Sequence, residues 1–123
     1  MRYFDAPGRA IAGILADVLL AAPAAAFSGN PVIGKELYGS NCSGCHLESG
    51  AGGVHFGHSV SADLRAPGLE TTYRHNVALL VRAILDAKDE TGERLDSPMP
   101  AWKGRLSQAQ ALDIVAYLKT LNG

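Results

Sequence analysis

Both cysteines of this 123-residue chain fall inside one five-residue string, Cys42-Ser43-Gly44-Cys45-His46. No other feature constrains the fold as much. With no third cysteine, a scaffold knit by several disulfides is excluded. Two thiols three positions apart, followed at once by an imidazole, make a compact set of donors. The rest of the chain has to fold around whatever that set holds. A chain of this size builds only a thin core and usually needs a staple.

Composition supports one globular domain. The chain is 47% hydrophobic and 19% charged, too apolar for a disordered segment. Eleven Lys+Arg stand against twelve Asp+Glu, a formal charge of −1. General nucleic-acid binding needs a strong basic excess, so that class is disfavoured.

The first 26 residues read as a secretory signal. Arg2 and Arg9 precede an apolar run over Ala10–Ala22, and Pro23-Ala24-Ala25-Ala26 follows as a small-residue cleavage region. Thirteen residues are too few to span a bilayer, which takes roughly 20. Asp5 and Asp17 depart from the usual pattern. A cut after Ala26, or after Ala24, implies export to the periplasm. The first cut leaves a domain over 27–123 with no membrane span.

The mature part reads as helices joined by one long loop. Asn30-Pro31 opens a helix to about Asn41 or Cys42, because Asn caps well and Pro is favoured at the first position. Residues 47–71 hold no sustained period and carry Gly50, Gly52, Gly53, Gly57 and Pro67-Gly68, so they read as loop. A loop this long needs an organiser. Val77, Leu80, Val81, Ile84 and Leu85 repeat at helical spacing, over about Asn76 to Ala87. Ser97-Pro98-Met99-Pro100 reads as an extended, rigid segment. Ser107-Gln108-Ala109-Gln110 is a capping box, followed by Ile114, Tyr117, Leu118 and Leu121 at helical spacing. No segment alternates as a strand does, so the fold class is all-α.

C-x-x-C-H is the attachment signature of a c-type haem. Thiols at this spacing reach the two vinyl groups on one porphyrin edge, and His46 then presents its imidazole to the iron. Two other chemistries compete. A dithiol redox centre expects a strand-helix-strand setting, which the pattern lacks. A zinc site needs a second ligand pair, and His55, His58 and His75 do not form one. The second axial position falls to Met99, the one thioether outside the leader, 53 positions after His46. His75 is the best remaining alternative, and plain packing is the other reading of Met99. His/Met ligation raises a haem potential relative to bis-His and leaves no open coordination site.

Residues 31–123 resemble a class I c-type cytochrome, monohaem and of the bacterial periplasmic kind. That family carries a Gly eight residues and an aromatic four residues before the first haem cysteine, matched by Gly34 and Tyr38. Its last helix packs an aliphatic and an aromatic residue across that Gly, matched by Ile114 and Tyr117. Met99-Pro100-Ala101-Trp102 matches the stretch after the distal ligand. The resemblance implies a small cytochrome c fold, three to five helices wrapped round one covalent haem c, with the first and last helices crossing. One departure stands out. The family often has Gly-Pro-x-Leu after the haem motif, where the Pro carbonyl accepts from the axial His. Here the string is Ser61-Ala62-Asp63-Leu64, so the acceptor for His46 is open, with the Ala62 carbonyl a candidate.

Leu37, Val54, Leu64, Ile84, Leu85 and Leu95 are expected to pack on the porphyrin. Trp102, Tyr73, Arg65 and Arg74 are candidates for its propionates. The implied function is one-electron transfer, without catalysis, between a donor dehydrogenase or reductase and an acceptor oxidase or reductase. Partners would be redox proteins meeting the chain transiently, with the chain itself a monomer. The rivals are a dedicated subunit of an oxidoreductase complex and a five-coordinate haem enzyme or sensor.

Overall fold

A computed structural model describes residues 28–123. The leader and its cut near Ala26 lie outside the described residues. Five helices and one minimal hairpin follow in order: α1 (Pro31–Asn41), α2 (Ser43–His46), β1 (His55–Phe56), β2 (Ser59–Val60), α3 (Gly68–Thr72), α4 (Val77–Asp86) and α5 (Gln108–Leu118). No helix among the described residues is long and apolar enough to cross a membrane.

The three longer helices start where the sequence says they should. The Asn30 side chain accepts from the backbone of Val32 at 2.9 Å and of Ile33 at 3.3 Å, with Pro31 at the first position. Asn76 caps α4 by accepting from Ala78 at 3.0 Å. At α5 the Gln110 backbone donates to the Ser107 hydroxyl at 3.1 Å, and the Ser107 backbone donates to the Gln110 side chain at 2.8 Å.

Helix α1 crosses α5, and α5 also packs on α4. The crossing buries Tyr38, Ile114, Val115 and Leu118, while α4 contributes Leu80, Val81 and Ile84. Tyr38 and Tyr117 meet with ring centroids 5.4 Å apart, a tilted pair. The Tyr38 hydroxyl donates to the Leu47 carbonyl at 2.6 Å, which ties α1 to the chain just past the Cys-x-x-Cys-His string.

The expected loop over 47–71 contains more structure than its sequence announces. β1 and β2 pair antiparallel, with His55 opposite Val60 and Phe56 opposite Ser59. Two residues a side are too few to show alternation. Pro67 stands at the N-cap of α3, where its missing N–H costs nothing, so the Pro-Gly pair opens a helix there rather than ending one. The segment around Met99 also differs from the expectation. It is a turn, closed by the Met99 N–H donating to the Asp96 carbonyl at 3.1 Å.

The end of α4 fixes that turn in space. A helix leaves its last carbonyls without internal partners. Here the Trp102 N–H donates to the Ile84 carbonyl and the Lys103 N–H to the Leu85 carbonyl, both at 3.0 Å. The Met99 segment is therefore held to the helix by backbone bonds.

Candidate functional site

The cysteines follow directly from α1. Cys42 caps the helix, its N–H donating to the Tyr38 carbonyl at 2.8 Å, and the chain then turns once through α2. That turn carries Cys45 and His46 to the wall of a large cleft. Cys42, Cys45, His46, Leu64, Met99 and Trp102 all line it. The cleft holds about 1070 Å³. Sites for small ligands usually hold about 300–1,000 Å³.

His46 is only 9% exposed, and its Nδ1 lies 2.9 Å from the Ala62 carbonyl oxygen. A carbonyl only accepts, so Nδ1 carries the proton and Nε2 keeps its lone pair for a metal. The acceptor left open by the sequence is thus Ala62, in the absence of the proline. Three contacts bring its segment in. Gly52 lies beneath it, where a Cβ would collide with the Ala62 carbonyl. The Leu64 N–H donates to the Gly50 carbonyl at 2.8 Å, and the Ser61 N–H to the Val54 carbonyl at 2.9 Å. Gly50 and Gly52 both take positive φ, +83° and +65°, a region open to glycine at little cost.

The thiols are free and partly buried. Burial, with Cys45 nearby, pushes the Cys42 thiol up to about 11. A dithiol redox centre needs the opposite, a lowered value that yields thiolate. The zinc reading fails as well: no group of three or more His, Cys, Asp or Glu side chains able to hold a metal ion occurs among the described residues.

Of the six side chains expected to pack on the porphyrin, Leu64, Ile84 and Leu95 line the cleft, whereas Leu37, Val54 and Leu85 do not. Leu37 and Leu85 pack beside the protein core instead. Phe56 and Val60 of the hairpin, Leu80 of α4, and Ile114 and Leu118 of α5 line it without having been expected to pack on the porphyrin. The hairpin has no sequence signal. The other three were legible as helix-face residues, but periodicity alone does not separate a cofactor wall from a core.

Among the propionate candidates, Trp102, Tyr73 and Arg65 line the cleft. Arg65 forks onto Asp63, with its Nη2 2.8 Å and its Nε 3.0 Å from the carboxylate oxygens. Arg105 stacks over the Trp102 ring at 4.3 Å. Arg74 does not line the cleft and donates to the carbonyl of Glu90, which does, at 3.0 Å. His75 lines a separate, smaller recess at the start of α4, and neither His55 nor His58 lines the cleft.

The residues present fit a c-type haem. The fit rests on an apolar cleft of porphyrin scale whose wall carries two thiols and an imidazole with Nε2 uncommitted. Similar proteins agree. The chain shares 31% identity over 93 residues with the Cbb3-type cytochrome c oxidase subunit CcoP of Azospirillum brasilense, covering 73% of this chain and 28% of that one. It shares 28% over 85 residues with cytochrome c6 of Synechocystis sp., covering 69% and 60%. It shares 27% over 85 residues with cytochrome c6 of Euglena viridis, covering 69% and 85%. The chain thus spans about a quarter of the CcoP length and three fifths of the Synechocystis protein. Residues 32–122 match the Cytochrome c family. On that match the chain belongs to the cytochrome c family, and with it comes covalent haem c.

Proposed function

We propose that this chain is a periplasmic one-electron carrier whose haem is held by Cys42 and Cys45 and ligated by His46 and Met99. The observation that carries the reading is that His46, with Nδ1 already given to Ala62, shares one apolar cleft with Met99. The bound haem supplies one-electron cycling between Fe(III) and Fe(II). The protein supplies the rest. Cys42 and Cys45 form the thioether tethers. Ala62 fixes the tautomer and plane of His46, and the turn on α4 holds Met99 in place. With His46 and Met99 as ligands, the haem would hold a potential above that of a bis-His site and would offer no position for substrate. Leu64, Leu80 and Ile84 keep water from the cleft interior. Trp102 lines the same cleft, and its indole N–H would donate to a propionate.

Export delivers the chain to the periplasm, where it meets donor and acceptor proteins in brief encounters. With a formal charge of −1, long-range steering is weak, so docking depends on short-range fit. The likeness to CcoP favours a second reading, a dedicated haem c subunit of an oxidase-type complex. The test is expression with a haem-attachment system, followed by redox titration and gel filtration. A single reversible one-electron wave from a lone monomer that takes up no CO supports the carrier. Co-elution with an oxidoreductase supports the subunit. Rapid CO binding contradicts both and indicates a five-coordinate site.

A further inference from the structure

The segment that serves His46 is held by different means on its two sides. Upstream of Ala62, Ser61 is bonded three ways to the hairpin strap: its N–H to the Val54 carbonyl, the Gly53 N–H to its carbonyl at 2.8 Å, and the Val54 N–H to its hydroxyl at 2.9 Å. Downstream, the Leu64 N–H bond to the Gly50 carbonyl is joined by a hold from the side chain of Asp63. One carboxylate oxygen accepts from the Arg65 backbone N–H at 2.9 Å and from Arg65 Nε at 3.0 Å. The other accepts from Arg65 Nη2 at 2.8 Å. The guanidinium lies close to Gly123, where a Cβ would be 2.8 Å from Arg65 Nε. Two backbone bonds join the same strands of chain, Ala66 N–H to the Leu121 carbonyl at 2.7 Å and Gly123 N–H to the Ala66 carbonyl at 3.0 Å. The peptide group between Ala62 and Asp63 contains the oxygen that His46 uses. Its tilt depends on the backbone of Asp63, which this fork constrains.

We propose that the Asp63–Arg65 fork is a positioning device for the axial histidine, holding the Ala62 carbonyl on His46 Nδ1 and thereby setting how strongly the imidazole donates to iron. The inference rests on the reading that His46 is an iron ligand. A proline at position 62 would fix the local backbone through its ring. Alanine leaves that dihedral free, and the bidentate pair, which has defined geometry, supplies the constraint. A well-held acceptor raises the basicity of a ligating imidazole. A loosened one lowers it and destabilises the ferric state.

The test uses the haem-loaded protein with Asp63→Ala, Arg65→Gln and the double variant Arg65→Gln/Ala62→Pro. Signs separate positioning from simple charge. Removing a nearby cation lowers a haem potential by electrostatics alone, whereas loosening the His46 acceptor raises it. The expected result is a higher midpoint potential in both single variants, faster solvent exchange of the His46 Nδ1 proton by NMR, and return of both readouts toward the parent value with Ala62→Pro. If Arg65→Gln lowers the potential while Asp63→Ala raises it, the pair acts as charges and the proposal is overturned. Unchanged Nδ1 exchange in both single variants also overturns it. If the parent protein lacks a His-ligated low-spin spectrum, it is the ligation reading that fails, and this is seen before any variant is compared.

Discussion

Gly34 of α1 and Asp113 of α5 meet backbone against carbonyl, with no room for a methyl group between them. A Cβ at position 34 would collide with the Asp113 carbonyl and lie 3.0 Å from the Tyr117 Cβ. The closeness is what lets Tyr38 and Tyr117 stack across the crossing and lets Ile114 turn into the cleft.

Gly34→Ala therefore destabilises the holoprotein despite the better helix propensity of alanine. Overpacking costs about 1–3 kcal/mol, against a propensity gain of at most ~1 kcal/mol. Backbone atoms give way less readily than side chains, so the net loss is expected near the upper end, about 2 kcal/mol. Urea unfolding followed by haem absorbance measures it. Gly39→Ala on the same helix, where a Cβ meets nothing, is the control and is expected to be neutral or slightly stabilising.

Tyr38→Phe removes one of the two donors on the Leu47 carbonyl, which keeps the Gly50 N–H at 3.0 Å, and preserves the ring. Tyr38 is 1% exposed, and a typical intramolecular hydrogen bond contributes about 0.5–1.5 kcal/mol net. A loss of about 1 kcal/mol in the same urea experiment is expected, with an unchanged visible spectrum.

Cys42→Ser/Cys45→Ser prevents attachment, and the chain is expected to be largely unfolded. Without haem, the apolar side chains that wall the cleft of about 1070 Å³ face water instead of a porphyrin, at about 1.5–3 kcal/mol for each large side chain left exposed. Domains of this size carry about 5–15 kcal/mol in total. The walls therefore cannot stay as they are. Far-ultraviolet circular dichroism should show most of the helix content lost. Retention of a native-like spectrum would mean that the helices fold without their organiser.

Arg65 holds the Asp63 carboxyl down at about 2, by hydrogen bonds from its side chain and its backbone. A group with a lowered folded value stabilises the fold above its unfolded value, near 3.9, and that contribution fades as pH falls through the folded value. The window is therefore about pH 4 to 2. The pair is solvent-exposed, so the effect is small. Asp63→Asn is expected to flatten the stability loss across that window and to leave stability above pH 5 only slightly lower, as read by urea midpoints at stepped pH.

The helical frame was legible because its signals are local. Asn30-Pro31, Asn76 and the Ser107–Gln110 box each act within four residues, and the structure places helix starts where they stand. Gly34 was legible through its cost: a glycine inside a helix calls for a close neighbour. The cleft walls were less so. Leu37 and Leu85 share helix faces with lining residues, but rotation about the helix axis is set by tertiary packing. The hairpin carrying Phe56 and Val60 depends on pairing across a turn, with two residues on each side. The Ala62 acceptor was visible only as a candidate, since its approach relies on Gly52 and on bonds accepted by the Gly50 and Val54 carbonyls. The Asp63–Arg65 fork had no motif to reveal it.

The central claim is that a sulfur and an imidazole nitrogen ligate one iron, and the ferric absorption spectrum of the holoprotein beside its Met99→Ala variant tests it most directly. The account predicts a low-spin parent with the weak far-red thioether-to-iron band, and a variant that loses the band and binds CO rapidly when reduced. A parent without that band, or a variant with an unchanged spectrum, would contradict it.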